Sequence, residues 1–321
     1  MKYLLILGYG WSGSSAVFDL LNEYENVDSI PIEFRIIKDP YGLMDLRYNL
    51  ISRWDPLNVD KCIKNFIWHA KYLNQKVDKF HFGLGYSSVL GPSFKEATDV
   101  FLKSIIKLNY SGYWFFFDYE SGFKLIKKKV LRRLHFKKAE ETMYYSDVNS
   151  QQFDECCKEY IDNIFKDYCK KDFLILDQAI PAQYPNEAKH FFKDFKVIIV
   201  DRDPRDVFCD LINDGGLIGQ ELRKTNNVDF FVDWFLKYRK KYQETDDTNI
   251  KRISFEELVE NYDKTVEDIE NFIGLNSTMH LNKKKYFDPD KSIHNIGLWK
   301  SYNKRNQIEE IASRLSQYIK E

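Results

Sequence analysis

The chain has 321 residues, of which 44% are hydrophobic and 16% aromatic, and its formal net charge is −1. This length supports one large domain or two small ones, and the balanced charge argues against a surface built to attract nucleic acid. The five cysteines form no CxxC pair and the six histidines show no HExxH spacing. We therefore expect neither a disulfide framework, nor a metal site, nor a nucleic-acid partner.

The apolar run at the N-terminus covers only residues 3–7 and ends in glycines. A signal peptide needs a longer apolar region, and a membrane span needs about 20 apolar residues in a row. The sequence contains no such stretch, and we expect a cytoplasmic protein.

The N-terminal pattern predicts a strand, a glycine-rich turn and a helix. Residues 2–7 are apolar and end at Gly8, and residues 14–26 carry apolar side chains at helical spacing. This order is typical of the first βα unit of a nucleotide-binding protein. Residues 29–34 are the predicted second strand.

Two further apolar runs predict parallel strands at residues 172–177 and 195–201, and residues 250–255 are the predicted fifth strand. Continuous apolar runs of this length fit strands that are covered on both faces. Helices are predicted near 186–193, after residue 206, at 256–262 and 263–273, and at the end of the chain. We predict an α/β fold with a central, mostly parallel sheet, as one domain over residues 1–321.

The middle of the chain, about residues 40–170, shows no parallel-strand pattern. It contains an aromatic run at 113–117 and a strongly basic stretch at 121–140. We expect a largely helical insertion that shapes an acceptor site.

The glycine turn has two interpretations. Its spacing satisfies GxGxxG, and Glu33 lies 20 residues after Gly13, where a dinucleotide-binding protein has its ribose-binding acid. This interpretation predicts an NAD- or FAD-dependent oxidoreductase. Alternatively, the turn cradles a phosphate, because glycine N–H groups, serine hydroxyls and a helix N-terminus all favour an anion. The turn lacks the lysine of a Walker A loop, which disfavours an ATPase or kinase, but it does not decide between the two interpretations.

Three segments in the C-terminal half decide between them. Residues 197–207 contain Arg202-Asp203-Pro204-Arg205-Asp206, residues 252–258 read RISFEEL, and residues 297–300 read GLWK. Together with the first turn, and in this order, they resemble the motifs of sulfotransferases that use 3′-phosphoadenosine 5′-phosphosulfate (PAPS), in particular carbohydrate and bacterial members. The resemblance implies a P-loop-NTPase-like three-layer fold, with PAPS as co-substrate and no metal.

The resemblance also implies the nucleotide-binding residues. The first turn would hold the 5′-phosphosulfate, Arg202 the 3′-phosphate, and Phe255 or Trp299 the adenine, with Gly297 and Lys300 completing the pocket. The residues of the first turn are Gly10, Trp11, Ser12, Gly13, Ser14 and Ser15. Arginine suits a phosphate because it is always charged and can bind two oxygens at once.

Three positions depart from the family pattern, and at one of them Gln178 stands where many members have a lysine. Trp11 stands where the family has a lysine or arginine, and Asp210 stands where it has a serine, eight residues after Arg202. A carboxylate beside a phosphate is unfavourable, so we expect Asp210 to point elsewhere. These departures leave a non-catalytic nucleotide-binding relative as an alternative.

The proposed catalytic residues follow the second predicted strand. Glu33 resembles the glutamate of the KExxFF segment, which is the general base in carbohydrate sulfotransferases, and Arg35 is a candidate for the cation missing at Trp11. We expect the ends of strands 1 and 2 to be adjacent, which would bring Glu33 to the first turn.

The acceptor is expected to be a saccharide or a glycolipid. The basic stretch 121–140 could bind an anionic saccharide or contact a membrane surface, and an ordinary solvated helix face explains it equally well. The oligomeric state is not predicted.

Overall fold

The computed structural model describes residues 1–112, 122–134, 141–239 and 248–319. Within these ranges, the strands are β1 (Lys2–Gly8), β2 (Val27–Ser29), β3 (Leu108–Gly112), β4 (Glu141–Tyr145), β5 (Phe173–Asp177), β6 (Phe195–Asp201) and β7 (Ile250–Ser254). The α-helices are α1 (Ser14–Leu21), α2 (Leu43–Arg47), α3 (Pro56–Leu73), α4 (Tyr86–Val89), α5 (Ser93–Ile105), α6 (Gly122–Arg133), α7 (Ser150–Phe165), α8 (Ala188–Phe191), α9 (Pro204–Asp214), α10 (Gly219–Thr225), α11 (Val228–Arg239), α12 (Phe255–Glu260), α13 (Tyr262–Ile273), α14 (Pro289–Ser292) and α15 (Arg305–Arg314).

The chain divides into two compact units. The first comprises residues 1–35 and 169–321, and the second comprises residues 36–168. The expectation of a single domain over 1–321 stays a prediction, as does the role of residues 40–170 in shaping an acceptor site. The aromatic run at 113–117 lies outside the described residues.

The first unit contains a five-stranded parallel sheet in the order β2-β5-β1-β6-β7. The predicted α/β class with a parallel central sheet is confirmed. Parallel strands end at the same edge of a sheet, so the residues that follow β1, β5, β6 and β7 meet there. This edge is where the sequence places the glycine turn and Arg202.

The core of this unit explains why the strands are nearly continuous apolar runs. Leu4 and Ile6 of β1 pack in one cluster with α1, α12 and α13, while Leu5 and Leu7 are fully buried on the opposite face. Full burial of such a side chain contributes roughly 1.5–3 kcal/mol to stability. The apolar face of α9 packs with α10, α11 and α15 in a second cluster.

Two predictions about the sheet were wrong. The second strand covers Val27–Ser29 instead of 29–34, because Pro31 and the turn after it cannot continue the ladder. In addition, β5 lies between β2 and β1, so the ends of the first two strands are not adjacent. The predicted strands at 172–177, 195–201 and 250–255 agree with β5, β6 and β7 to within a residue.

The second unit is mainly helical, with a core of aromatic rings. Phe101 stacks on Tyr160 at 4.8 Å between ring centroids, and Phe66 meets Phe101 edge-on at 5.5 Å. The Tyr160 and Thr98 hydroxyls share a hydrogen bond of 2.7 Å, which satisfies both buried groups. The unit also contains an antiparallel pair, β3 and β4, which the sequence analysis did not predict.

In the described part of the chain, no helix is both long enough and apolar enough to cross a lipid bilayer.

Candidate active site

The turn between β1 and α1 is a compact loop that is held by a hydrogen bond to one of its own serine side chains. Gly10, Trp11 and Gly13 have φ values of 79°, 51° and 79°, a region that favours glycine. The Tyr9 N–H donates to Ser12 Oγ at 3.2 Å, and Ser12 is buried. The Ser12 hydroxyl therefore holds the turn together from inside.

The start of α1 is not capped by a side chain. Gly13 occupies the N-cap position in the left-handed conformation and makes no side-chain hydrogen bond. Within this first turn the Ala16 N–H donates to the Gly13 carbonyl at 3.0 Å, and the N–H groups before it, together with the helix dipole, favour an anion. Ser14 Oγ accepts a hydrogen bond from Gln178 Nε2 at 3.1 Å, whereas Ser15 is exposed.

A cavity of about 450 Å³ opens beside this turn. Its volume lies within the range of small-molecule sites. It is lined by Trp11, Gly13, Ser15, Ala16, Asp19, Arg202, Asp210, Phe255, Lys285, Tyr286, Phe287, Asp288, Lys291, Ser292 and Asn295. The cavity thus brings together five of the predicted nucleotide-binding residues, which are Trp11, Gly13, Ser15, Arg202 and Phe255.

Phe255 forms one wall of the cavity because of how α12 begins. Ser254 and Glu257 make a capping box that fixes the first turn of this helix. The Phe255 ring then packs so closely on Gly13 that a Cβ atom at residue 13 would lie 2.4 Å from Phe255 Cδ2. Only glycine at position 13 permits this contact.

Arg202 follows β6 and is buried against the glycine turn. Its Nη1 donates to the Trp11 carbonyl at 3.0 Å and to Asp210 Oδ2 at 2.5 Å, and its Nη2 donates to the Asn295 carbonyl at 2.6 Å. Its guanidinium also lies 5.3 Å from the centre of the Phe255 ring. The expectation that Asp210 points elsewhere was wrong, because the carboxylate satisfies the charge of this buried arginine.

The charged groups that line the cavity nearly balance. Among the described lining residues, the cations are Arg202, Lys285 and Lys291, and the carboxylic acids are Asp19, Asp210 and Asp288. Burial, with a smaller contribution from the charge of Glu23, raises the pKa of Asp19. Lys285 and Lys291, which the sequence analysis did not select, are the lysines of this cavity.

The segment from Gly297 to Lys300 is hydrogen-bonded to α9, and its described residues do not line the cavity. Asp206 is buried and accepts hydrogen bonds from the Gly297 N–H at 2.8 Å and from the Trp299 N–H at 3.2 Å. Burial raises the pKa of Asp206, although these two hydrogen bonds act in the opposite direction. Lys300 is exposed, with its Nζ 5.7 Å from the centre of the Trp299 ring. Gly297, Trp299 and Lys300 are not among the described residues that line the cavity.

Arg205 links this segment to the start of α9. It forms an ion pair with Asp203, and its guanidinium lies 4.0 Å from the centre of the Trp299 ring. The indole of Trp299 therefore contacts an arginine, where the resemblance had suggested an adenine. Asp206 and Arg205 belong to the same five-residue motif as Arg202, which is the signal by which their roles could have been found.

A buried glutamate shapes the opposite wall of the cavity. Glu23, fully buried after the end of α1, accepts hydrogen bonds from the N–H groups of Lys284, Tyr286 and Phe287 at 2.9 to 3.1 Å. It also lies 2.7 Å from His280 Nε2. This carboxylate holds the 284–287 segment in place. The sequence analysis missed it because Glu23 is one of three acids in the predicted helix 14–26 and belongs to no motif.

Glu33 and Arg35 form an ion pair of 3.0 Å, with their side chains 39% and 38% exposed. They follow β2 and are not among the described residues that line the 450 Å³ cavity. The neighbouring Phe34 N–H donates to the Asp177 carbonyl at 3.0 Å, which ties this segment to the end of β5.

A second cavity, of about 350 Å³, shares Arg202 with the first. Its wall includes Asp201, which pairs with Arg239 at 2.9 Å and lies 3.5 Å from Arg252. The Arg239 guanidinium is also within 4.2 Å of the centre of the Tyr9 ring. This cluster ties the glycine turn to β6, β7 and α11.

The sequence matches no protein-family model and no curated protein sequence at a significant level. Three solved structures are similar over nearly the whole chain. The sulfotransferase domain of the olefin synthase from Synechococcus PCC 7002 is 13% identical with a TM-score of 0.43, over 98% of this chain and 94% of that one. The sulfotransferase domain from the curacin biosynthetic pathway is 13% identical with a TM-score of 0.40, over 98% and 97%. A sulfotransferase from Mycobacterium avium is 12% identical with a TM-score of 0.42, over 99% and 75%.

Proposed function

We propose that this protein is a sulfotransferase that moves a sulfuryl group from PAPS to a hydroxyl or amine of an acceptor, with a saccharide or glycolipid as the acceptor class. One observation carries the proposal. The glycine turn and Arg202, 191 residues apart in sequence, line the same cavity. A nucleotide with anions on its 5′ and 3′ sides requires two such regions to face one another.

The start of α1 is the proposed site for the 5′ phosphosulfate. The Gly13 backbone, the uncapped first turn and Ser15 offer neutral donors that stabilise an anion without a lysine. Phe255, already in contact with Gly13, offers a ring face for the adenine.

Arg202 is the proposed partner of the 3′-phosphate. In the structure its Nη atoms donate to Asp210 and to two backbone carbonyls. A phosphate would therefore have to displace Asp210 from the guanidinium. Lys285 and Lys291 are the cavity's other cations and are proposed to share the charge of the nucleotide.

Glu33 is the proposed general base. In the transfer, the acceptor oxygen or nitrogen forms a bond to sulfur, the bond between sulfur and the bridging phosphate oxygen breaks, and the acceptor proton passes to Glu33. Arg35, 3.0 Å away, is proposed to orient the carboxylate, and charge stabilisation on the leaving oxygen is its second candidate role. A positioned base of this kind contributes roughly 10²–10⁴-fold to the rate.

Calorimetry with 3′-phosphoadenosine 5′-phosphate, NAD⁺ and FAD tests the nucleotide assignment. We expect the first to bind and the other two not to bind. Arg202→Ala should weaken binding at least tenfold, whereas Arg53→Ala, at an exposed position of the second unit, should leave it unchanged. Binding of NAD⁺ or FAD alone would instead support the oxidoreductase interpretation of the glycine turn.

Transfer of ³⁵S from labelled PAPS to a panel of glycans and glycolipids tests the reaction. Glu33→Gln should retain nucleotide binding and lose at least 10²-fold in turnover. Full turnover in this variant would show that Glu33 is not the base.

A non-catalytic nucleotide-binding relative is the second candidate function, favoured by the pairing of Arg202 with Asp210. It predicts nucleotide binding without ³⁵S transfer to any member of the panel.

A further inference from the structure

The helix α6 of the second unit carries an apolar stripe that faces solvent. Phe123, Ile126, Val130 and Leu134 are 87%, 58%, 50% and 59% exposed. Their spacing of three and four residues places them within about 80° of the helix circumference. The Leu134 N–H donates to the Val130 carbonyl at 3.1 Å, so the last residue continues the same turn.

All the charged residues in the sequence of this helix are basic. Residues 122–134 contain six lysines and arginines and no acidic residue. Lys127, Lys129 and Arg133 are exposed. An exposed apolar stripe is costly in water, and so many like charges repel one another unless an anionic partner balances them.

The remaining apolar residues of α6, Leu125 and Leu131, are only partly exposed. Both lie outside the narrow stripe and on different sides of the helix, about 120° apart around its axis.

We propose that α6 docks on the surface of an anionic lipid bilayer, with Phe123, Ile126, Val130 and Leu134 inserted among the acyl chains near the headgroups. The described basic side chains, Lys127, Lys129 and Arg133, would lie at the level of the lipid phosphates. This combination of a narrow apolar stripe with a cationic polar face is the pattern of interfacial helices. A bilayer satisfies both features at once, since it offers apolar depth beneath a negatively charged surface.

Cosedimentation of the full chain with vesicles tests this proposal. We expect binding to vesicles of phosphatidylcholine with 30% phosphatidylglycerol, at least tenfold weaker binding to pure phosphatidylcholine, and a marked loss in 0.5 M salt, which screens charge. The double variant Phe123→Ser/Val130→Ser should bind the anionic vesicles at least tenfold more weakly. Because both side chains are exposed, its thermal unfolding should match that of the wild type.

Matched control variants distinguish binding through this stripe from non-specific binding through other exposed apolar or basic residues. Phe82→Ser/Val100→Ser removes the same two side-chain types from exposed positions of the same unit, where they are 81% and 56% exposed, and should bind like the wild type. Lys127→Glu/Lys129→Glu should lose binding, whereas Lys61→Glu/Lys103→Glu should lose much less.

Two results would overturn the proposal. One is equal binding of the stripe variant and the wild type. The other is a wild type that ignores anionic vesicles but self-associates through the stripe, seen as a fall in mass by light scattering when Phe123 and Val130 are replaced. Neither result bears on the proposed sulfuryl transfer, because nucleotide affinity is measured without lipid.

Discussion

Arg202 and Asp210 form the contact that most directly controls the candidate site. The Asp210 carboxylate pairs with the guanidinium that we propose for the 3′-phosphate, and the Arg202 side chain is only 5% exposed. A charge-assisted hydrogen bond of this kind contributes about 1.5–3 kcal/mol. The pair therefore stabilises the protein without a ligand, and under our proposal it does so at the expense of nucleotide affinity.

Replacing Asp210 by serine should reverse this balance. We expect Asp210→Ser to raise the affinity for 3′-phosphoadenosine 5′-phosphate roughly tenfold or more, because the phosphate no longer competes with a carboxylate. The affinity for AMP, which lacks the 3′-phosphate, should change little. Calorimetry with both nucleotides gives the ratio.

The same substitution should lower the melting temperature of the free protein, since Arg202 loses its partner, and added nucleotide should restore it. Asp214→Ser, at an exposed position of the same helix, serves as the control. If the two nucleotides respond equally to Asp210→Ser, Asp210 does not act on the 3′-phosphate.

For single residues, the sequence predicted which side chains line the cavity better than it predicted which groups they contact. Trp11, Gly13, Ser15, Arg202 and Phe255 do share one cavity. The partner of Arg202 was not predictable, because residues eight apart in a strand-turn-helix segment meet only once the turn is folded. Lys285 and Lys291 belong to no motif, so only the folded chain reveals them.

Among the elements, the segment between α13 and α14 depends on a single side chain. Three backbone N–H groups and His280 converge on Glu23, and all of these contacts are within hydrogen-bonding distance. The lining residues Lys285, Tyr286 and Phe287 lie in this segment. One carboxylate thus sets the shape of a cavity wall.

Glu23→Gln is expected to destabilise the protein by about 3 kcal/mol, because an amide NH₂ cannot accept the hydrogen bonds of the backbone donors that meet it. Nucleotide affinity should fall as well, since the wall loosens. Chemical denaturation and calorimetry measure the two effects. Glu25→Gln, two residues away and exposed, should change neither, and an unaltered unfolding midpoint in Glu23→Gln would contradict the role given to this carboxylate.

The buried strands were predictable and the exposed ones were not. β5 and β6 appear in the sequence as apolar runs because they are covered on both faces, whereas β7 is an edge strand that reads IKRIS and is only partly buried. By contrast, β3 is mostly exposed and has no alternating pattern. The strand order was not predictable either, since β5 is inserted between β1 and β2 from a point about 150 residues further along the chain.

For the whole molecule, the division into two units predicts which residues a bound nucleotide should protect from hydrogen exchange. All described lining residues of the 450 Å³ cavity belong to the first unit. A ligand at 100 times its dissociation constant stabilises the folded state by about 2.7 kcal/mol. Hydrogen exchange with 3′-phosphoadenosine 5′-phosphate should therefore show new protection at residues 10–19, 202–210 and 285–295. Protection confined to residues 36–168 would place the nucleotide elsewhere.

The end of β5 has a consequence for the reaction centre as a whole. Asp177 holds the backbone beside Glu33, and the next residue, Gln178, holds the Ser14 hydroxyl. Gln178 does so from a left-handed backbone conformation with φ of 53°, which costs free energy for any side chain other than glycine. The segment that contains Glu33, the proposed proton acceptor, and the start of α1 after the glycine turn are thus hydrogen-bonded to two consecutive residues. Thermal motion of the end of β5 would therefore move both together and preserve the distance between them.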